Sequence, residues 1–346
     1  MKTELMKVSQ ESLQKAGEIL RSGELVGFPT ETVYGLGGNA LCGEAAKKIF
    51  AAKGRPGDNP LIVHVTDISE IAPLIDGEMP ECARQLAAAY WPGPMTLIMK
   101  KSALVPEEVS AGLDTVGIRI PANADARAMI AAAGVPVAAP SGNRSGRPSP
   151  TMASHMMEDM EGRIPLILDG GACEVGLESS VIDCTVNPPR VLRPGGVTPQ
   201  MVERVCGGVK VDGSVLRALR EDEKPRSPGM KYRHYAPEGA VTIVTGSEEN
   251  VIARIRQLAG DLMQQRKRVL VLAMEPHMAA YEGFSVRSLG HNAVEMGARL
   301  FDLLRYADEV HADAVFSEAV AAKDIGLAVM NRLGRAAAFQ QINADE

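Results

Sequence analysis

Short strand-like apolar segments alternate with helical segments along this chain, and the alternation is interrupted over residues 209–239. Leu25–Phe28 and Val269–Ala273 are typical of buried strands, whereas Gly43–Lys53 has the composition and flanking glycines of a helix. Such alternation packs helices against an apolar sheet, and 346 residues suffice for two domains of this kind. We predict an α/β protein with three parts: a large domain with a mixed sheet (1–208), a linker (209–239) and a smaller doubly wound domain (240–346).

The charge and the cysteine content exclude several classes of protein. With 37 Lys+Arg against 43 Asp+Glu, the net charge of −6 excludes a wholly basic nucleic-acid coat but allows a local basic groove. The five cysteines form no C-x-x-C pair, and no apolar run reaches the ~20 residues of a membrane helix. The charged N-terminus, Met1–Glu4, does not resemble a signal peptide. We expect reduced thiols, no membrane association and a cytoplasmic location.

The segment Pro29–Gly38 combines threonine, tyrosine and glutamate side chains with three glycines. Hydroxyl groups beside exposed backbone amides suit a small polar ligand or a phosphate. A glycine-rich turn that only packs a strand on a helix is an equally good interpretation. The spacing matches the dinucleotide fingerprint only in part, and the chain contains no G-x-x-x-x-G-K-[ST], which excludes a Walker-type ATPase.

Two cations, Lys53 and Arg55, border a Gly/Pro loop that also contains Asn59. Such cations neutralise phosphate charge, and an arginine can bind phosphate through two parallel hydrogen bonds. A solvated basic helix end is the more common alternative. His64 lies within a predicted strand, Leu61–Val65, and an isolated histidine at such a position is more often a core residue than a ligand.

Arg119 lies within a predicted strand, Val116–Ile120, which Thr115 directly precedes. Because side chains alternate along a strand, Arg119 faces away from Ile118 and Ile120. It either holds a carboxylate in a concave sheet or faces solvent, depending on the position of the strand in the sheet.

Small and hydroxyl side chains fill the loop Ala138–Ser149, which follows another predicted strand. Loops at the carboxyl ends of strands are the usual ligand-binding positions of α/β sheets. Ser141 is not part of a G-x-S-x-G sequence, so we predict that this loop binds a ligand and supplies no nucleophile.

The stretch Arg190–Tyr235 contains 10 Lys/Arg and 5 acidic residues, in contrast to the acidic chain as a whole. This asymmetry suits a polyanion such as ATP or RNA, although most charged stretches are simply solvated surface. The six histidines are dispersed and show no H-E-x-x-H, so no metal-ligand cluster is predicted.

Taken together, these segments resemble the Sua5/YrdC family of threonylcarbamoyl-AMP synthases over nearly the whole chain. The resemblance is carried by six segments in one order: Phe28–Gly37 (FPTETVYGLG), Lys53–Leu61 (KGRPGDNPL), Trp91–Thr96 (WPGPMT), Gly117–Pro121 (GIRIP), Ala139–Asn143 (APSGN) and Ser227–Pro237 (SPGMKYRHYAP). It implies a YrdC-like catalytic domain with a twisted mixed sheet. It also implies the Rossmann-like C-terminal domain of the longer, two-domain Sua5 form.

The family makes threonylcarbamoyl-AMP and pyrophosphate from L-threonine, bicarbonate and ATP, with Mg²⁺ bound through the triphosphate. A separate transferase complex then forms t6A at position 37 of tRNAs that read ANN codons. The resemblance implies three overlapping sets of residues: L-threonine ligands Thr30, His64, Arg119, Ala139 and Ser179; ATP ligands Arg55, Asn59, Thr115, Ser141, Ser149, Arg193 and Tyr232; and a K-x-R…S-x-N catalytic signature of Lys53, Arg55, Ser141 and Asn143.

Two further expectations concern the linker and its role. Met230–Tyr235 would cover the nucleotide as a lid, with Tyr232 reaching into the site. Replacement of Tyr232 by alanine would then raise the KM for ATP and speed loss of the intermediate.

Two other functions are compatible with this fold. One is a module that binds tRNA or double-stranded RNA on a basic face, which the acidic composition and the scarcity of aromatic residues weaken. The other is an adenylyltransferase that uses carbamoyl phosphate, as in hydrogenase maturation factors. Those proteins also carry zinc-finger cysteines and an acylphosphatase segment, and this sequence shows neither.

Overall fold

Two units, each with its own sheet, form the part of the chain that the computed structural model describes, residues 1–215, 217 and 235–346. Of these residues, the first unit comprises Met1–Ser145 and Ser149–Val215. The second comprises Gly146–Pro148 and residues 235–346, together with Arg217.

The first unit contains a mixed sheet in which parallel and antiparallel neighbours alternate irregularly. Its strands, among the described residues, are β1 (Glu4–Lys7), β2 (Val26–Phe28), β3 (Gly35–Asn39), β4 (Ile62–His64), β5 (Met95–Lys100), β6 (Thr115–Arg119), β7 (Val137–Ala139), β8 (Leu166–Asp169), β9 (Ser180–Asp183), β10 (Arg190–Arg193) and β11 (Lys210–Val211). Their spatial order is β1-β8-β2-β3-β7-β4-β6-β5-β9-β10-β11. The helices are α1 (Gln10–Arg21), α2 (Gly43–Lys53), α3 (Glu81–Tyr90), α4 (Glu107–Ser110), α5 (Ala124–Ala133), α6 (Ala153–Met160) and α7 (Pro199–Cys206).

Capping and close packing determine where α1 lies. Ser9 and Ser12 cap its first turn reciprocally, each side chain accepting the other's backbone N–H, at 3.2 Å and 2.9 Å. Ala16 and Leu20 face the core. Gly17 lies against α5, where a Cβ atom would come within 2.5 Å of the Ala132 carbonyl oxygen. The close contact of these two helices therefore depends on the missing side chain.

The second unit contains a parallel sheet, as the doubly wound pattern predicts. Within residues 235–346 its strands are β12 (Ala240–Thr245), β13 (Val269–Ala273), β14 (Ser285–Ser288), β15 (Ala314–Glu318) and β16 (Gln341–Asn343), in the order β14-β13-β15-β12-β16. The helices are α8 (Glu248–Gln264), α9 (Ala293–Glu309) and α10 (Ile325–Ala336). The inner strand β13 is buried along its whole length, which explains its uninterrupted apolar sequence.

The structure confirms most predicted elements, including the helix Gly43–Lys53 and the strand Val269–Ala273. The prediction that Pro29–Gly38 is a loop throughout is wrong, because Gly35–Asn39 forms β3 and pairs with β2. A Cβ on Gly35 would lie 2.8 Å from the Phe28 ring, so this strand needs glycine where sequence patterns indicate a turn. The predicted linker also begins with the short strand β11.

No helix within the described ranges combines the length and the apolarity needed to span a lipid bilayer.

Replacing Gly17 by alanine tests the packing of α1 on α5. The added methyl group meets backbone atoms, which cannot move aside as a side chain does, so we expect the free energy of unfolding to fall by roughly 1–3 kcal/mol. Urea unfolding followed by the fluorescence of Trp91, the one tryptophan of the chain, measures this change in the first unit. Gly208→Ala is the matched control, because its nearest atom, Pro188 Cβ, lies at an ordinary 3.5 Å. Equal losses of stability in the two variants would contradict the explanation.

Candidate active site

One face of the first sheet carries buried polar side chains beside apolar ones. His64 on β4 lies opposite Arg119 on β6, and Ile62 lies opposite both Gly117 and Ala139. Side chains that are paired across strands, or two residues apart on one strand, point to the same face. We call this face the polar sheet face; it carries His64, Thr96, Thr115, Arg119, Ala139, Ser179 and Arg193.

The opposite face of the same strands is apolar. Val63, Leu97 and Ile118 alternate with residues of the polar sheet face, and all three are fully buried in the hydrophobic core. The two-residue period of the strands thus separates an apolar packing face from the face that carries the polar side chains. As the sequence predicts, Arg119 points away from Ile118.

A buried ion pair joins Arg119 to Glu31, with Nη2 donating to Oε1 at 2.7 Å and side chains only 5% and 7% exposed. Arg119 Nε also donates to the Gly93 carbonyl oxygen at 3.3 Å. Burial favours a neutral Glu31, but the charge and hydrogen bond of Arg119 outweigh burial and hold the pKa of this carboxyl below its usual value. Glu31 is therefore an anion that orients the guanidinium group.

His64 is neutral at physiological pH. Burial and, to a smaller extent, the positive charge of Arg119 lower the pKa of its imidazole to about 3. Its Nδ1 lies 3.1 Å from the Ile62 carbonyl oxygen, so Nδ1 is the donor in this contact. The Phe28 ring packs edge-on against it, with centroids 6.1 Å apart. His64 therefore adds shape and hydrogen-bonding capacity, but no charge.

Lys53 connects α2 to the loop that follows β7. Its Nζ donates to the carbonyl oxygens of Ser141 and Asn143, both at 2.5 Å, and its own carbonyl oxygen accepts the Ser145 N–H at 2.9 Å. α2 ends here because Gly54 adopts a left-handed conformation at φ 63°. The ammonium group thus holds the loop by its backbone.

Within that loop, Ser141 Oγ donates to Asn143 Oδ1 at 2.6 Å. Arg55 follows Gly54, and its Nη2 donates to the Asn59 carbonyl oxygen at 2.9 Å. The structure therefore brings Lys53, Ser141 and Asn143 into direct contact and pairs Arg55 with Asn59.

A second group of polar contacts surrounds Ser179 at the start of β9. Arg193 on β10 donates from Nε to the Ser179 carbonyl oxygen at 3.0 Å and from Nη2 to Ser179 Oγ at 3.2 Å. The same hydroxyl lies 2.8 Å from Thr96 Oγ1. Ser149 Oγ donates to Glu178 Oε1 at 2.5 Å. These contacts fix the hydroxyl groups at one edge of the polar sheet face.

The remaining predicted residues are less closely connected. Thr30 Oγ1 donates to the Val33 carbonyl oxygen at 2.6 Å and accepts the N–H groups of Thr32 and Val33, so this hydroxyl stabilises its own loop. Thr115 lies four residues before Arg119 on β6 and lines a small cavity with Thr96 and Gly117. Ala139 contributes no polar side chain. Tyr232 lies outside the described residues.

Sequence reasoning missed three buried polar residues, Glu31, Thr96 and Glu178. Each lies in or next to a segment that the sequence singled out, but a carboxylate is not expected beside a binding site for anions. Glu31 becomes necessary only because Arg119 is buried, and Glu178 only because Ser149 lies beside it. No group of three or more His, Cys, Asp or Glu side chains in residues 1–215 and 235–346 could hold a metal ion.

Comparisons with known proteins agree on one family over the full chain. A family model described as "Telomere recombination" (Sua5_yciO_yrdC) matches residues 18–195. Another, described as "Threonylcarbamoyl-AMP synthase, C-terminal domain", matches residues 197–338. A threonylcarbamoyl-AMP synthase of Bacillus subtilis is 45% identical over 339 residues, 97% of this chain and 95% of the relative. A threonylcarbamoyl-AMP synthase of Pyrococcus abyssi is 43% identical over 336 residues, 97% of each chain.

A solved structure is also similar. The crystal structure of P. abyssi Sua5 complexed with L-threonine superimposes with a TM-score of 0.94 at 42% identity, covering 99% of both chains.

The low pKa of His64 predicts how stability depends on pH. Histidine titrates near 6.5 in an unfolded chain and at about 3 here, so between these values the unfolded state binds one proton more. Stability therefore falls as the pH is lowered from about 6.5, by up to roughly 1.4 kcal/mol per pH unit from this group. We expect His64→Gln to remove that slope in urea unfolding between about pH 7 and pH 5.

His291→Gln is the control, because this side chain is 64% exposed and the variant keeps the slope that His64 contributes. If the slope in His64→Gln matches the slope in the unsubstituted protein, the assignment of a buried, neutral His64 is wrong.

Proposed function

Because the chain belongs to the Sua5 family of threonylcarbamoyl-AMP synthases, we propose that it makes threonylcarbamoyl-AMP and pyrophosphate from L-threonine, bicarbonate and ATP. The buried polar sheet face, with its oriented arginines and hydroxyl groups, carries this proposal. The product would serve t6A formation at position 37 of tRNAs reading ANN codons, through a separate transferase complex in the cytoplasm.

L-Threonine would bind at Arg119, with Thr30, His64, Ala139 and Ser179 around it. The guanidinium group has five N–H donors, of which Gly93 and Glu31 accept one each. The other donors suit the α-carboxylate of threonine, and Glu31 keeps the group oriented. A neutral His64 avoids repulsion with the amino group of the substrate. The Ser179 hydroxyl suits the polar side chain of threonine.

ATP would bind where the cations Arg55 and Arg193 lie, with Asn59, Thr115, Ser141, Ser149 and Tyr232 as further ligands. Arg55 and Arg193 are buried, and buried cations stabilise phosphate charge more strongly than solvated ones. Lys53 holds Ser141 and Asn143 through their carbonyl oxygens, so it would position this loop for the triphosphate. Mg²⁺ would enter as part of the substrate MgATP.

The reaction needs positioning more than a protein nucleophile. The threonine amine attacks the carbon of bicarbonate, water leaves, and an N-carboxy-threonine forms. Its new carboxylate then attacks the α-phosphorus of ATP, and pyrophosphate leaves. A carbamate loses CO₂ readily in water, so a site that excludes solvent protects it. The burial of Arg119, Arg55 and Arg193 supports such a site.

The direct test incubates the purified protein with ATP, ¹⁴C-bicarbonate and L-threonine and separates the products by chromatography. We expect a ¹⁴C-labelled adenylate and the release of unlabelled pyrophosphate. Both products should form only when threonine is present. Release of pyrophosphate without threonine, or labelling that requires carbamoyl phosphate in place of bicarbonate, would refute the proposal.

Arg119→Lys tests the threonine end of the site. Lysine cannot bind Glu31 and a carboxylate with the planar geometry of arginine, so we expect kcat/KM for threonine to fall roughly 10- to 100-fold. The KM for ATP should change far less. Arg84→Lys on the exposed surface of α3 is the matched control. A comparable rise in both KM values would place Arg119 in a general structural role.

A further inference from the structure

Three of the five cysteines meet away from the polar sheet face, although they are distant in sequence. Cys82 is the second residue of α3, Cys184 directly follows β9, and Cys206 ends α7. Cys82 Sγ lies 3.9 Å from the Cys184 carbonyl oxygen, and Cys206 Sγ lies 3.9 Å from the Cys82 carbonyl oxygen. Cys184 Sγ lies 3.9 Å from the Ile182 carbonyl oxygen. We call these three residues the thiol cluster.

The members of the thiol cluster differ in exposure and in acidity. Cys82 is half-buried and Cys184 is buried. The neighbouring Cys184 thiol and the backbone N–H groups of Ala83 and Cys82 lower the pKa of Cys82 to about 7. The neighbouring Cys82 thiol and burial raise the pKa of Cys184. A helix N-terminus and a neighbouring donor are the usual means of stabilising a thiolate.

The other two cysteines lie outside the thiol cluster. Cys173 is buried apart from the thiol cluster, and burial raises its pKa to about 12. Cys42 is half-buried and forms the N-cap of α2. An accessible thiolate next to a second thiol is the arrangement that reacts selectively with oxidants.

We propose that Cys82 is a site of oxidation by small hydroperoxides, with Cys184 as the resolving thiol. The Cys82 thiolate attacks one peroxide oxygen, the O–O bond breaks, and hydroxide leaves and takes a proton to become water. The sulfur of Cys184 then attacks the sulfenic acid of Cys82, the S–O bond breaks, and the proton of Cys184 leaves with a second water. Two thiols lose two electrons, and hydrogen peroxide is reduced to two molecules of water.

This site is separate from the polar sheet face. Cys184 and Ser179 flank opposite ends of β9, about 17 Å apart for five residues of extended chain. The proposal therefore does not depend on the proposed synthase function. A disulfide would join α3 to the end of β9 and restrict the unfolded chain, so the oxidised protein should have a higher midpoint of thermal unfolding.

The experiment treats the reduced full-length protein with equimolar hydrogen peroxide near pH 7, blocks free thiols at timed intervals and identifies the peptides by mass spectrometry. We expect a Cys82–Cys184 disulfide to form about tenfold or more faster than Cys42 is oxidised. In Cys184→Ser, the sulfenic acid of Cys82 should persist and react with dimedone. Cys206→Ser is the matched control within the thiol cluster and should still form the Cys82–Cys184 disulfide.

Three outcomes would overturn the proposal: oxidation of Cys82 no faster than that of Cys42, a disulfide between Cys82 and a different cysteine, or loss of the disulfide in Cys206→Ser. All are read directly from the peptides of the unsubstituted protein or the control variant. None depends on enzyme activity, so the outcome stays distinct from that of the adenylate assay.

Discussion

The burial of charge on the polar sheet face is the constraint on which the site depends. A guanidinium group taken out of water is costly unless an anion and good acceptors surround it, and breaking a buried pair typically costs about 3–5 kcal/mol. Arg119 meets this requirement through Glu31 and the Gly93 carbonyl oxygen. The loop that begins after β2 must therefore lie against β6. One ion pair thus brings two predicted motifs together.

Buried cations also determine where the loops around the sheet lie, because each cation needs acceptors. Lys53 satisfies its ammonium group on the backbone carbonyl oxygens of Ser141 and Asn143, and Arg193 binds both the backbone and the hydroxyl of Ser179. Each buried cation orders a segment that comes from elsewhere in the chain. In the proposed function, side chains that would be flexible in water are thereby held in place before a substrate binds. Preorganised charge of this kind is the largest single contribution to many enzymatic rate enhancements.

The sheet can support such a site because its strands have two different faces. Val63 and Ile118 fill the hydrophobic core, while their neighbours His64 and Arg119 form the polar sheet face. The first face contributes apolar burial to folding, whereas the second face holds buried polar groups. The thiol cluster lies beyond the other end of β9, so the same strand connects two chemically different places.

The sequence by itself determined the elements and their faces: the helix Gly43–Lys53, the strand Val269–Ala273, and the side of β6 on which Arg119 lies. These follow from local periodicity, which depends on residues only a few positions apart. Partners of the buried groups were decided by the tertiary structure alone. Glu31 and Arg119, or Cys82 and Cys184, are about ninety or more residues apart, and no local pattern records such contacts. The strand β3 belongs here too, because Gly35 and Gly37 leave room for the Phe28 ring that packs against them.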